Sequence, residues 1–469
     1  MGRALSKLAS VALLLVLAPP GRARAAEPTT QMGQSGVVAL MGPQRARPLN
    51  GRFNTVPVLH SNQPEQVWGP GILVDSSPGA ALSETGESIA NPAYTFNGPF
   101  GLHLHHDYSP APSQAWRHGR RAELTLAALL INPGAKPVQV RLLRGAVRNS
   151  FEAPYQGSQL LGVKPLGPRP WTTGPGDATA VQMLRERLDA DLPDQLTVPA
   201  QGRIVLLRSV LPAQGVLNAL LRGESDGPFS IAVVAAEGDA APDELNAVLD
   251  RHRLAPGRTY LRQQKAIADR AVFSRVSGVA LGDAFQASLS HDLDRDGPLH
   301  VPLTSTIRQT FGTGDVQVNR MLTRMPDSAL ENVGTYGVRF DLDLNLRGAG
   351  TYAVIMSHPD DPDGRRYIAY RGSLQLRTPS GSQDLHVGLR SGESLELANL
   401  VIHTGEVLPL HVSLVYPADA TPGHLLSVVP SSQFAALKQR PQQWLATADE
   451  ANASRPAIVI APQIGRAHV

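Results

Sequence analysis

The side chains best suited to bind a transition metal lie close together in the segment FGLHLHHDY: His103, His105, His106 and Asp107. Alternation of apolar and polar residues predicts a strand here, on which His103 and His105 share one face and His106 points to the other. Two imidazoles on one face, joined by His60 or a carboxylate from elsewhere, are ligands that zinc accepts. Zinc needs three or four ligands, and the alternative is a set of hydrogen-bonded structural histidines.

A second group of candidate ligands has the D-x-D-x-D-G spacing of a calcium loop: Asp292, Asp294, Asp296 and Gly297. Alternate carboxylates converge on a hard cation, and the glycine permits the sharp turn between them. The twelfth position is Leu303 instead of a bidentate glutamate, and Pro298 interrupts the helix that would follow. The alternative is a strand-connecting turn held by Asx hydrogen bonds. The sequence establishes no cofactor, and calcium is a candidate at this turn.

The sequence predicts no catalytic residue. Gly223-Glu224-Ser225-Asp226-Gly227 matches the G-x-S-x-G pattern of a hydrolase nucleophile, which requires a strand before it and a helix after it. Pro228 and the strand-like FSIAVVAA follow instead, so we interpret the segment as a turn.

Only four tryptophans are present, and two of them are candidate ligand-binding residues. Trp68 and Trp116 lie in turn-rich segments, where a loop could expose them for stacking on a sugar. The alternative is burial in the core.

The elements that would position these residues are mostly strands. Short apolar runs alternate with turns containing many of the 39 prolines and 43 glycines. The segment FDLDLNL, residues 340–346, alternates strictly and predicts a strand with one face on a core and one in water. Asn132-Pro133-Gly134 predicts a hairpin, and helical spacing predicts short helices at 181–188 and 242–253. The predicted fold is all-β, mainly antiparallel, with two packed β-sandwich-like domains and a few short helices.

The N-terminus has the pattern of a secretory signal peptide over residues 1–25, with a charged start, an apolar stretch and Ala23-Arg24-Ala25. We expect a mobile leader at 26–46, β-sandwich-like domains at 47–255 and 256–430, and a loose or weakly helical tail at 431–469. The apolar stretch is too short to span a bilayer, so no transmembrane segment is expected after signal removal.

Charge and cysteine content exclude several classes of function. The chain has 43 basic and 40 acidic residues, but four basic residues lie within the first 25, which leaves 39 basic residues against 40 acidic. The chain after residue 25 has no polybasic run and no net positive charge, so we do not expect nucleic acid as a partner. The absence of cysteine excludes thiol catalysis, cysteine-ligated metal and disulfides, so core burial must stabilise the fold.

Several segments together resemble a known family: VPVLHSNQPE (56–65), GILVDSSP (71–78), VSGVALGDAFQASL (276–289), MPDSALENVGTYGVRFDL (325–342) and YRGSLQLR (370–377). They are similar to a cyanobacterial family of exported proteins known only as a domain of unknown function, over about residues 47–430. The resemblance implies export and a shared architecture, and it implies no catalytic residues. We therefore expect an exported, non-catalytic periplasmic or cell-surface protein, a binding or structural module for envelope polymer, glycan or protein. The alternative is a metal-dependent envelope enzyme using the His103–Asp107 region.

Overall fold

The computed structural model describes residues 46–157, 160–263, 275–361, 363–418 and 420–438. The predicted signal peptide, the leader up to residue 45 and the tail beyond residue 438 lie outside the described residues.

Two facing sheets form a first β-sandwich around one hydrophobic core. Phe100 in the larger sheet meets Phe229 beside the smaller one, with ring centroids 5.1 Å apart in an edge-to-face contact. The larger sheet has nine strands, in the spatial order β13 (Gln195–Val198), β11 (Val138–Asn149), β15 (Val216–Ser225), β7 (Pro99–Tyr108), β2 (Pro57–Ser61), β17 (Ser277–Leu281), β20 (Asn319–Arg324) and β21 (Glu331–Asn332), with β3 (Gln66–Val67) beside β7. The smaller sheet contains β14 (Gly202–Pro212), β10 (Glu123–Asn132), β16 (Ser230–Glu237) and β4 (Gly71–Asp75).

A second sandwich encloses a separate core. Its larger sheet has seven strands, in the order β1 (Arg52–Phe53), β18 (Ala284–Asp292), β22 (Arg339–Arg347), β27 (Val407–Val415), β24 (Ile368–Thr378), β25 (Gly381–Arg390) and β12 (Gly162–Pro165). Its smaller sheet contains β19 (Leu299–Leu303), β28 (His424–Pro430), β23 (Gly350–Ser357) and β26 (Ser394–Ile402). Two separate hairpins pair β5 (Ala80–Leu82) with β6 (Ser88–Ala90) and β8 (Trp116–Arg117) with β9 (Arg120–Arg121).

Strand β22 contains the alternating segment FDLDLNL. Its apolar side chains Phe340, Leu342 and Leu344 are buried in the second core, while Asp343 on the opposite face is exposed. The predicted alternation is therefore confirmed. Most strand pairs are antiparallel, and the predicted all-β fold with packed sandwiches and few helices is confirmed.

The two sandwiches exchange strands. β1 and β12 come from the N-terminal half of the chain and pair with β18 and β25 of the second sandwich. β17 and β20 come from the C-terminal half and continue the nine-stranded sheet beside β2. Each larger sheet is thus completed by segments distant in sequence. The domain boundary at residues 255 and 256 stays a prediction.

The described helices are short: α1 (Pro175–Leu184), α2 (Pro242–Asp250) and α3 (Ser431–Lys438), with a 3₁₀ turn at Thr259–Gln263. Helix α2 lies where the sequence predicts it, and the Glu244 carboxylate accepts a hydrogen bond from the Ala241 N–H at 2.7 Å. Within the described part of the chain, no helix is long and apolar enough to cross a membrane.

The prediction of a helix at 181–188 is wrong in its bounds, because α1 begins six residues earlier and ends at Leu184. Pro175 occupies its first turn, where a missing N–H costs nothing. Ala180 and Met183 then pack with Leu220 of β15 and Val415 of β27, so α1 lies between the two larger sheets.

The expected hairpin at Asn132-Pro133-Gly134 is also wrong, because β10 and β11 belong to opposite sheets of the first sandwich. The Asn132 amide donates to the carbonyls of Lys136 and Pro199, and its Oδ1 accepts from the Gly134 N–H at 2.9 Å. The turn is therefore held by the asparagine side chain while the chain passes from one sheet to the other.

Candidate functional site

The outer face of the seven-stranded sheet carries polar side chains in rows across its strands. The strand register aligns a middle row formed by Ser288, Asp343, His411 and Arg377. The adjacent row is Gln286, Asp341, Ser413, Gln375 and Asp384. These two rows are termed the polar face. It exists because each strand alternates apolar residues toward the core with polar residues outward, and the register places like positions side by side.

Hydrogen bonds fix the centre of the polar face. His411 Nδ1 lies 2.7 Å from Asp343 Oδ1, and His411 Nε2 lies 2.8 Å from Ser413 Oγ. Ser413 Oγ donates to Asp341 Oδ1 at 2.7 Å, and Arg339 Nε donates to both oxygens of Asp341. The orientation of His411 is thus set by a carboxylate on one side and a buried serine on the other.

Ser413, His411 and Asp343 contact one another in the same sequence as the residues of a serine hydrolase triad. Unlike the serine of such a triad, Ser413 is not accessible to a substrate. The Ser413 side chain is 0% exposed, so no substrate carbonyl can reach its Oγ. Its proton is directed to Asp341 and away from His411. The geometry therefore does not support Ser413 as a nucleophile.

A cavity of about 570 Å³ lies over the middle row. Asp343, His411 and Arg377 line it together with Ser288 and Asn345, and Pro379 and Pro409 add apolar surface. The Asp343 side chain is 63% exposed and faces solvent there. This volume lies within the ordinary range of small-molecule sites, roughly 300–1,000 Å³.

The adjacent row is closed off at one side by the end of α1. Arg185 pairs with Asp384 at 3.3 Å, and Arg339 donates to the carbonyl of Leu184 at 3.3 Å. The middle row is therefore the more accessible of the two, as the greater exposure of Asp343 than of Asp341 shows.

The predicted metal-binding histidines lie together on β2 and β7 but bond to different partners. His60 joins them as the sequence suggested, with its Nδ1 3.1 Å from His103 Nδ1. His105 Nδ1 contacts Asn218 Oδ1 at 2.9 Å, and His106 lies between Ser61 Oγ and the Pro64 carbonyl, each at 2.8 Å. The Asp107 carboxylate accepts a hydrogen bond from Ser109 Oγ at 2.9 Å. Among the residues described, no three histidine, aspartate or glutamate side chains form a group that could hold a metal ion.

Burial keeps several histidines neutral. Desolvation lowers the pKa of His60 and of His106 to about 3. The same cause lowers the pKa of His300 and of His358, in the second sandwich, to about 4. These side chains act as hydrogen-bonding groups of the core.

The acidic turn is organised by its own hydrogen bonds. Asp292 Oδ1 accepts from the backbone N–H groups of Asp294 and Arg295, at 3.2 and 3.0 Å. Asp294 Oδ1 accepts from Tyr352 Oη at 3.0 Å, and Asp296 pairs with Arg295 at 2.8 Å. The three carboxylates are therefore directed to separate partners, the pattern of an Asx turn.

Both candidate tryptophans are exposed, so the alternative of burial in the core is wrong. Trp68 is 42% exposed and lies against Gly257, where an added Cβ would sit 2.6 Å from the ring. Trp116 is 55% exposed, beside Arg121. In the G-x-S-x-G segment, residues 223–225 are the end of β15, and Ser225 Oγ donates to the Gly227 carbonyl at 2.9 Å. Only Asp226 and Gly227 lie in the turn that leads to β16, so the segment as a whole is not the predicted turn.

Sequence reasoning missed His411 and Arg377 as site residues. The alternation in FDLDLNL pointed to Asp343 and Asn345 as water-facing residues, but their partners come from strands 30 to 70 residues away. Only the strand register brings them into one row.

The fold and the polar face define an all-β protein of two strand-exchanged sandwiches with a polar sheet surface. The chain belongs to the family described as "Protein of unknown function (DUF3370)", whose model matches residues 44–430. This confirms the resemblance to a family of unknown function, while a cyanobacterial origin stays a prediction.

The other comparisons carry no functional argument. No curated protein matches the chain. Among solved structures it is similar to the CUB1-EGF-CUB2 domain of human MASP-1/3 at 9% sequence identity, covering 70% of this chain and 98% of that one. The TM-score is 0.17, so the similarity supports no conclusion about fold or function.

Proposed function

We propose that this protein is an exported, non-catalytic β module of the periplasm or cell surface that binds a neutral glycan of the envelope through the polar face. The observation that carries the proposal is the cavity of about 570 Å³ over the row Asp343, His411 and Arg377. Export is supported by the signal-peptide pattern at residues 1–25.

The chemistry of the middle row suits hydroxyl groups. A carboxylate accepts hydrogen bonds and a guanidinium donates them, so Asp343 and Arg377 together can hold adjacent hydroxyls of a sugar. Their opposite charges offset each other, which favours an uncharged ligand over an ion. Pro379 and Pro409 provide apolar surface for the C–H face of a pyranose ring.

The side chains of the middle row are held in place before a glycan binds, so binding costs little conformational entropy. His411 is held by Asp343 and Ser413, and the row lies on paired strands instead of a loop. A surface that is already ordered loses little conformational freedom when a ligand binds. The metal-dependent enzyme is the less favoured candidate, because His103, His105 and His106 contact different partners and, among the described residues, no three candidate ligands converge.

Titration calorimetry of the processed chain with maltohexaose, cellohexaose and xylohexaose tests the proposal. We expect millimolar or tighter binding of at least one of them, and a loss of about tenfold in affinity for Asp343→Ala, the size of one lost hydrogen bond to a charged group. The matched control is Asp191→Ala, because the Asp191 side chain is 85% exposed and does not line the cavity. Absence of binding to all three sugars, or equal losses in both variants, would contradict the proposal.

A further inference from the structure

A second surface, distant in sequence from the polar face, combines exposed aromatic rings with concentrated positive charge. It is the hairpin of β8 and β9, with the sequence Trp116-Arg117-His118-Gly119-Arg120-Arg121, together with Phe151. These seven residues are termed the basic hairpin site.

Backbone conformation fixes the hairpin. His118 and Gly119 both have positive φ, 51° and 76°, the combination that a two-residue type I′ turn requires. The turn pairs Trp116 with Arg121 across the two strands. The tryptophan and the arginine are therefore held side by side by the local fold.

Arg121 lies between two exposed rings. Its Cζ is 5.1 Å from the centroid of Trp116 and 5.6 Å from that of Phe151. Trp116 is 55% exposed and Phe151 49% exposed. Two large aromatic side chains exposed on either side of one cation form a contiguous surface that can stack on a ligand.

The guanidinium itself is anchored from behind. Arg121 Nη1 donates to the Ala213 carbonyl at 2.7 Å and to Gln214 Oε1 at 3.0 Å. An arginine held in one orientation presents a planar donor edge, which matches the two oxygens of a carboxylate or sulfate.

The charge of the hairpin is local. Residues 116–121 include three arginines and a histidine and no acid. The chain as a whole has 43 basic and 40 acidic residues, and without the four basic residues of the first 25 the two charges nearly balance. The nearest acids in sequence are Glu123, beyond the hairpin, and Glu152, whose carboxylate accepts from the Asn149 N–H at 3.0 Å. The positive potential is therefore a property of this site and not of the whole molecule.

From this juxtaposition we propose that the basic hairpin site binds an anionic polysaccharide bearing carboxylate or sulfate groups. The anchored guanidinium would pair with the anion, while Trp116 and Phe151 contact the C–H faces of adjacent sugar rings. A polysaccharide is favoured over an anionic lipid surface because the arginine is fixed in a rigid planar arrangement, whereas lipid attraction needs only mobile charge. The site is independent of the polar face and of the neutral ligand proposed for it.

The test compares alginate and dextran sulfate with uncharged dextran by affinity electrophoresis and calorimetry of the processed chain. We expect binding of at least one acidic polymer, no binding of dextran at this site, and weakening as salt rises. Trp116→Ala and Arg120→Gln are each expected to reduce affinity about tenfold, as lost stacking and lost charge predict. Arg120 is exposed on the hairpin, so its variant tests the site without threatening the fold.

The matched controls are Ile307→Ala and Arg251→Gln, an exposed apolar side chain and an exposed arginine outside the hairpin. They should bind the acidic polymers as the unaltered chain does. Equal losses in test and control variants, or no binding of either acidic polymer, would overturn the proposal. Binding to vesicles containing phosphatidylglycerol without binding to the acidic polymers would overturn it in favour of a lipid surface.

Discussion

Lowering the pH from 7 to 5 should destabilise this protein strongly, because buried histidines must gain protons when it unfolds. Their pKa values in the folded state are about 3 for His60 and His106 and about 4 for His300 and His358, below the ordinary 6.5. A depressed folded pKa means that the unfolded chain binds more protons between these values. The stabilisation is therefore present above pH 6.5 and is lost as the pH falls toward 4.

The magnitude follows from linkage. A histidine with an unfolded pKa of 6.5 and a folded pKa near 4 or below lowers the free energy of unfolding by about 2 kcal/mol between pH 7 and pH 5. Four such residues together cost about 7 to 8 kcal/mol, and about 3 kcal/mol of this is lost by pH 6. A typical domain has a total stability of about 5–15 kcal/mol, so unfolding near pH 5 is expected.

Urea denaturation at pH 7, 6 and 5 measures this dependence, and single variants apportion it. His300→Asn keeps an acceptor or donor near Ser427 Oγ, which lies 2.8 Å from His300 Nδ1, but removes the proton uptake. It should reduce the loss of unfolding free energy between pH 7 and pH 5 by about 2 kcal/mol. His403→Asn, at an exposed histidine, is the control for the substitution itself. A free energy of unfolding that stays constant from pH 7 to pH 5 would refute the reasoning.

Two further predictions concern the ion pairs and the acidic turn. Asp327→Ala should destabilise the fold by about 3–5 kcal/mol, because it leaves the buried Arg258 without the carboxylate that its Nε and Nη2 contact at 2.9 Å. The more exposed pair Arg203–Asp250 serves as the comparison in the same urea assay, and Asp250→Ala should lower the free energy of unfolding by less than about 1 kcal/mol. A loss for Asp327→Ala as small as that would contradict the account. Neither EDTA nor millimolar calcium should shift the melting temperature, since the carboxylates of Asp292 and Asp294 are held by protein donors. A rise with calcium that EDTA reverses and Asp292→Asn abolishes would instead establish the calcium site.

Local pattern predicts a central strand of the second sandwich. Strict alternation over 340–346 identifies β22 and its buried face. This element is predictable because side-chain period and burial are set within a few residues. No pattern in the sequence predicts strand β28, which begins directly after the turn residues Pro422 and Gly423.

Long-range pairing could not be predicted from the same signals. Nothing near Arg52 or Gly162 indicates that β1 and β12 complete the sheet of the second sandwich. Likewise, Asp343 and His411 become neighbours only through antiparallel register between β22 and β27. The hairpin expected at Asn132 failed for a related reason, because turn residues determine a local bend but not which sheet the next strand joins.

Hydroxyl-radical footprinting of the processed chain with the neutral oligosaccharide that binds in calorimetry tests the central claim most directly. The account predicts reduced oxidation of His411 and of the prolines at 379 and 409, with unchanged oxidation of Trp116 and Phe151. Protection confined to Trp116 and Phe151, or no protection on the seven-stranded sheet, would contradict it.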